Sequence, residues 1–417
     1  MLVRTTNLSL LPCSTATESE TSVVSARVIL IACKICFSMS FTVQSFDLRS
    51  TFKLDKKLLR FAGFYPKNQH LYFFRAAINL FFSISQLISM TVQIIIDRND
   101  IMKLSESLQY FTTLVTFIWK LTFFAINKKT LLQIEEILTS PIFYGYPEHH
   151  LTLLKQKIRA GQTAGTTFRI LSVAAVGFWG LPCFFDTEKS KSLPVPGWFP
   201  YDVNKYYYPT FVFQILGIAN TAYTDSSIDI LSWILISIAS GQFEVLKENL
   251  RSINYENDDS ETVELAFKKC VKHHKKIIKF VYKIESMFLK GVFLQFFASV
   301  FIICFTGFLM MILPVVSMQF FLTFTYFVCM MCEVAVYCWL GHEVMTTSST
   351  IGESLYMSNW YESNLTFRKN VVIFMEKTKT PVTMTAGGFV PLSLATLTSI
   401  LRSSYSYFAV LQRLYDP

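Results

Sequence analysis

The sequence predicts an all-α integral membrane protein with seven transmembrane helices, its N-terminus cytoplasmic and its C-terminus extracellular. Three observations predict it. Of 417 residues, 52% are hydrophobic and only 16% are charged, too apolar for an ordinary soluble domain. Apolar runs of about 20 residues recur along the chain, enough to cross a hydrocarbon core of roughly 30 Å as helix. The basic residues, finally, crowd into alternate gaps between those runs.

The first apolar segment, Val28 to Phe37, is interrupted by Lys34 and too short to span. The polar stretch before it is too long for a secretory signal. A start at Met39 would give a compact basic entry to the first span. Residues 1–38 are therefore expected to be an extension, disordered or a gene-model artefact, ahead of one membrane domain over 39–417. The spans fall at about 71–96, 107–126, 168–186, 206–241, 284–313, 315–341 and 386–411. Leu313-Pro314 divides the fifth from the sixth, because proline lacks the N–H and clashes with the preceding turn. No internal repeat and no Pro- or Gly-rich linker divides the domain.

Orientation follows from Lys and Arg alone. Residues 44–75, the loops after spans 2 and 4 and the loop before span 7 carry twenty-five; the other side carries six. The densest loop holds Lys268, Lys269, Lys272, Lys275, Lys276 and Lys279. The six are Arg98, Lys103, Lys189, Lys191, Lys205 and Arg413. G-protein-coupled receptors have the opposite orientation, and their Asp-Arg-Tyr and Asn-Pro-x-x-Tyr signatures are missing here. The sequons at Asn7 and Asn364 fall on the cytoplasmic side and should stay unglycosylated.

The net charge of +9 is spent in loops, which argues against nucleic acid. Nine Cys form no regular framework. Cys33-x-x-Cys36 and Cys329-x-x-Cys332 each have the spacing of half a zinc site without a second half, so no metal and no cofactor is expected. No enzyme is expected either. His342-Glu343 lacks the second His of a zinc protease helix, and neither a phosphate-cradling Gly loop nor a Gly-x-Ser-x-Gly elbow occurs. His273-His274, in the lysine-rich stretch, reads as part of a solvated face.

Ionisable residues inside spans come next. Glu285 and Lys290 can snorkel from the cytoplasmic start of span 5. Asp225 and Asp229, four apart, share one face in the inner half of the long fourth helix, at a depth similar to Lys120 and Arg169. Two readings stand: a structural ion pair, or the lining of an aqueous path for cations. The outer halves of spans 2, 3, 4 and 6 are rich in aromatics and poor in charge. They offer Tyr110, Phe111 and Leu114; Ser172, Ala175, Val176 and Trp179; Tyr207, Tyr208, Phe211 and Ile215; and Phe320, Phe321 and Phe324. Such a set could enclose a small apolar ligand with a hydroxyl to orient it. Composition alone favours the plainer reading, that these aromatics pack helices or sit at the bilayer interface.

The stretch from Tyr356 to Leu414 shifts that balance. It contains Asn359-Trp360-Tyr361-Glu362, Arg368-Lys369, Pro381, Ala386-Gly387 and Ser404-Tyr405-Ser406-Tyr407-Phe408. This resembles the signature region of insect odorant receptors, and span number and orientation extend the likeness over 39–417. Gustatory receptors carry Thr-Tyr, five apolar residues, then Gln-Phe; here four residues separate Tyr407 from Gln412, and Arg413 follows.

The resemblance implies an odorant-binding subunit of a ligand-gated, non-selective cation channel, four subunits surrounding one pore in the plasma membrane of olfactory sensory neurons. The short Lys247–Lys283 segment is unlike the long loop of the shared co-receptor, so it implies a tuning subunit that needs that co-receptor as partner. The inner ends of spans 4–7, with residues 342–379, would form a cytoplasmic anchor between subunits. The gate would fall on Val410 and Leu414, with Gln412 and Arg413 beside it. A gustatory-type or metabotropic chemoreceptor is the alternative.

Overall fold

The computed structural model describes residues 47–65, 70–144, 146–180, 193–253 and 260–415. The expected extension over 1–38, Cys33, Cys36, the Asn7 sequon, Lys189, Lys191 and the end of the third span lie outside these residues, as does the Leu414 side chain.

The described chain is helical: α1 Lys53–Ala62, α2 His70–Ile96, α3 Ile101–Ile126, α4 Lys128–Leu138, α5 Glu148–Gly180 and α6 Tyr207–Arg251. Then come α7 Ser260–Ile284, α8 Lys290–Ile312, α9 Met318–Ser349, α10 Ile351–Tyr356, α11 Leu365–Thr378 and α12 Leu394–Tyr415. Among the described residues, four helical stretches are long and apolar enough to cross a membrane: Tyr72–Ile96, Tyr207–Arg251, Glu261–Ile312 and Met318–Tyr356. α3, α5 and α12, of 26, 33 and 22 residues, have the length to cross but fall outside those four. Along α2, Phe73, Phe74, Phe81, Ile88 and Ile95 are exposed. Apolar side chains bare in a row on a helix suit lipid, not water.

α6 is the axis of the bundle. Leu231, Trp233, Leu235, Ile236 and Phe243 are wholly buried along it. α5 runs against it at very short range. A Cβ added at Gly161 would lie 2.2 Å from Ser237 Oγ, and one at Gly165 would lie 2.6 Å from Ile230 Cγ2. Two glycines four apart on one helix face let the backbones meet, the small-residue packing favoured in membranes.

α8 ends at Ile312, Leu313 turns extended, and Ser317 caps α9 by accepting from the Phe320 N–H at 3.1 Å. The break at Leu313-Pro314 is thus made by proline and an N-cap together. At its other end α8 continues from α7 through a π-helical turn, Glu285–Leu289. Such a turn shifts backbone groups out of the i→i−4 ladder. The Leu289 carbonyl accepts from the Gly387 N–H at 3.1 Å, and the Glu285 carboxylate accepts from the Thr385 N–H at 3.1 Å.

Two sequence expectations are corrected. The seventh span, read from Ala386, begins as a helix only at Leu394. Before it, Thr385–Ala386 pairs antiparallel with Val390–Pro391 in a small hairpin. Its turn holds Gly387 at φ 64° and Gly388 at φ 83°, left-handed conformations that break helix and suit glycine. Second, His273 and His274 are not part of a solvated face: they are 3% and 6% exposed. α7 is amphipathic, its lysines on one side and Val263, Phe267, Cys270, Ile277, Phe280 and Val281 on the other, and both histidines lie on the packed side. His273 Nε2 lies 2.9 Å from Gln242 Oε1 and 3.3 Å from the Tyr146 hydroxyl, while the His274 ring meets Phe374 edge-on. Burial pushes the His273 imidazole down to about 3, its neighbour His274 adding to the effect. It pushes His274 down to about 4, with Lys377 adding to it.

Candidate ligand cavity

α2, α3, α5, α6, α8 and α9 surround a cavity of about 140 Å³. Its upper part is aromatic. Tyr110 of α3 meets Trp179 of α5 edge-on, ring centres 5.1 Å apart, and leans on Tyr326 of α9 at 5.5 Å. The Tyr326 hydroxyl is hydrogen-bonded to Thr113, so one rim of the ring cluster carries a polar handle inside an apolar wall. Met90, Leu114, Ala175, Val176, Ile218 and Met330 complete that wall.

The segment after residue 192 covers it. Val195, Pro196 and Phe199 line the cavity. Three hydrogen bonds hold the segment down. Ser89 Oγ donates to the Trp198 carbonyl at 2.7 Å, the Trp198 N–H donates to the Ser89 carbonyl at 3.2 Å, and Gln214 Nε2 donates to the Val195 carbonyl at 3.0 Å. A Cβ on Gly197 would lie 2.7 Å from Ser89 Oγ, so glycine is what lets the cover lie flat.

The opposite end is charged. Lys120 of α3 stands 2.9 Å from Asp225 and 2.9 Å from Asp229 of α6, and 3.0 Å from Glu333 of α9. Asp229 also accepts from the Tyr337 hydroxyl at 2.7 Å. The Asp225/Asp229 pair therefore finds a basic partner in Lys120. Arg169 is engaged elsewhere, with Asp55 of α1.

Of the residues singled out in the sequence, Tyr110, Leu114, Ser172, Ala175, Val176 and Trp179 line the cavity. Phe111 and Ile215 pack behind its wall. Tyr207 and Phe211 are buried against each other at the start of α6, outside the lining, and Tyr208 is exposed. Phe320 and Phe324 stack on the outside of α9, where Phe324 and Phe321 are exposed. The first turns of α6 and α9 point these rings away because the cavity sits deeper, level with Ile218 and Tyr326. Val410, Gln412 and Arg413 are exposed on α12. Sequence reasoning missed Glu333, Gln295, Tyr326, Met330 and the cover segment. Only Glu333, a lone charge in an apolar run, left a visible signal.

The family model described as 7tm Odorant receptor matches residues 100–405. Odorant receptor Or1 of Anopheles gambiae is 24% identical over 406 residues, covering 88% of this chain and 96% of that receptor. Odorant receptor 85c of Drosophila melanogaster is 26% identical over 229 residues, 54% of this chain and 58% of that one. The solved insect olfactory receptor OR5 from Machilis hrabei, in complex with eugenol, superposes with a TM-score of 0.78 at 15% identity, over 88% of this chain and 98% of its own.

Proposed function

The chain belongs to the seven-transmembrane odorant receptor family, and from that premise we propose that it is the odorant-binding subunit of a ligand-gated, non-selective cation channel. The observation that carries the reading is the covered aromatic cavity formed by Tyr110, Trp179 and Tyr326. A concave, mostly apolar site with a few placed hydroxyls is what a small volatile needs. An ester, alcohol or terpenoid fits there, with Ser172 or the Tyr110 hydroxyl to orient it. The likeness of fold to a receptor solved with eugenol supports a small-molecule ligand.

On this reading α2, α3, α5, α6, α8, α9 and α12 are the seven spans, with the N-terminus cytoplasmic. The chain works in the plasma membrane of olfactory sensory neurons, in a heterotetramer with a shared co-receptor. The lysine-bearing α7, with α10 and α11, belongs to a cytoplasmic anchor between subunits. Val410 and Leu414 of α12 close the pore by dewetting, flanked by Gln412 and Arg413.

Recording an odour panel from cells expressing the chain with and without the co-receptor tests this. Odorant-gated cation current only with both subunits, insensitive to G-protein block, is expected. Responses lost on G-protein block would put a metabotropic receptor in its place. Orientation is tested on intact cells, where a tag after Pro417 should be stained and one before Met39 should not.

A further inference from the structure

The charged end of the cavity holds more negative charge than its lysine balances. An ammonium has three N–H donors. Those of Lys120 go to both oxygens of Asp229 and to Glu333 Oε1. Asp225 Oδ1, 2.9 Å from Nζ, is a fourth oxygen sharing those three donors and has no other partner. One lysine thus faces three carboxylates, whose oxygens lie within 4.8 Å of one another.

The surplus points one way. The Asp225 side chain is 21% exposed, whereas those of Lys120, Asp229 and Glu333 are 4% exposed or less. Asp225 and Glu333 both line the cavity. So does Gln295, which is 2% exposed, leans its amide on Glu333 and leaves its Oε1 without a hydrogen-bond partner. The Thr221 hydroxyl, one turn along α6 from Asp225, is likewise unpartnered and lines the same space. Two carboxylates, an amide and a hydroxyl therefore line the same cavity, the two carboxylates with oxygens within 4.8 Å of each other. Three buried carboxylates sharing one counter-ion are costly, and so is a buried amide oxygen without a donor.

The geometry points to a monovalent cation subsite at this end of the cavity, formed by Thr221, Asp225, Gln295 and Glu333. An all-oxygen set suits a hard cation, not a thiophilic metal. Stripping water from a divalent ion costs about four times as much as from a monovalent ion of the same size, whereas its attraction to the cluster only doubles, so a buried site of this kind favours the monovalent ion. A bare sodium ion and the ammonium head of an amine ligand share this chemistry. The subsite stands on the cluster alone and holds whether or not the channel reading does.

The test is thermal unfolding of the full-length chain, purified with whatever subunits accompany it, at constant ionic strength. Sodium chloride, methylammonium chloride and calcium chloride are compared with choline chloride, whose cation is too large for the cluster. A saturable rise in midpoint of at least about 2 °C with sodium or methylammonium is expected. Asp225→Asn should abolish it. Gln295→Met, which keeps volume and charge, should weaken it and serves if the first variant does not fold. A rise with sodium assigns a bare ion; a rise with methylammonium alone assigns the head of an organic ligand. Equal midpoints in all salts, a rise retained in both variants, or stabilisation by calcium alone overturns the subsite. So does a midpoint that follows pH but not cation identity, because a proton then carries the balancing charge.

Discussion

Ser89 and Trp198 are joined by a reciprocal pair of hydrogen bonds, hydroxyl to carbonyl at 2.7 Å and N–H to carbonyl at 3.2 Å. The pair fastens the cover segment to α2 directly over the cavity. Ser89→Ala removes one bond and leaves the Trp198 carbonyl short of a donor, a net loss of about 0.5–1.5 kcal/mol. Odorant release should then speed by roughly two- to twelvefold, read as faster current decay on washout. Unchanged decay would show that ligands leave by another route.

Trp179 supplies the largest apolar surface among the cavity residues contributed by α5, and its ring braces Tyr110. Trp179→Ala should shift the concentration–response curve by more than about tenfold at normal surface expression, a loss above about 1.4 kcal/mol. A curve that does not move would place the ligand elsewhere.

His273 and His274 should make the α6–α7 contact acid-sensitive. Their folded values, about 3 and about 4, lie below the ordinary 6.5, so the opened state binds more protons. Stability is full above pH 6.5 and is lost as pH falls from there toward about 4 and then about 3. Backbone hydrogen exchange in α7, corrected for the intrinsic rate, should rise between pH 7.5 and 5.5 by about tenfold for each histidine. His273→Gln, which keeps a hydrogen-bonding partner for Gln242, should flatten about half of that dependence. Exchange that ignores pH would mean the histidines stay buried in every opening.

Arg413 is exposed on α12 in the isolated chain, one turn from exposed Val410. Facing a pore, its charge would repel permeating cations, the more so where water is scarce. Arg413→Gln should raise single-channel conductance or calcium permeability. Identical currents would turn the side chain away from the ion path and leave Val410 and Leu414 as the gate candidates.

Much of this was legible because helix faces are local. The i, i+4 spacing puts Asp225 and Asp229 on one side of α6, and Ser172, Ala175 and Trp179 recur on one side of α5. What joins those faces is not local. Glu333 reaches Lys120 across 213 positions, and nothing near either residue in the sequence encodes that meeting. The cover segment has no periodicity to read, since Val195, Pro196 and Phe199 act through a loop. Composition misled at His273 and His274, where flanking lysines hide an apolar stripe at helical spacing. It misled again at Ala386-Gly387, where an apolar neighbourhood masks a turn that two positive φ angles require.

The 45 residues of α6 form a rod about 68 Å long, more than twice the thickness of a hydrocarbon core. Asp225 at the cavity and Gln242 against His273 sit on that one rod, about 25 Å apart along its axis. A tilt of about 5° pivoting at Asp225 displaces Gln242 by about 2 Å, enough to break its contact with His273. Leverage of this kind needs no relay of side chains. On the proposed reading, a molecule that wedges the aromatic end would be felt as a sideways movement where Gln242 meets His273, amplified by length alone.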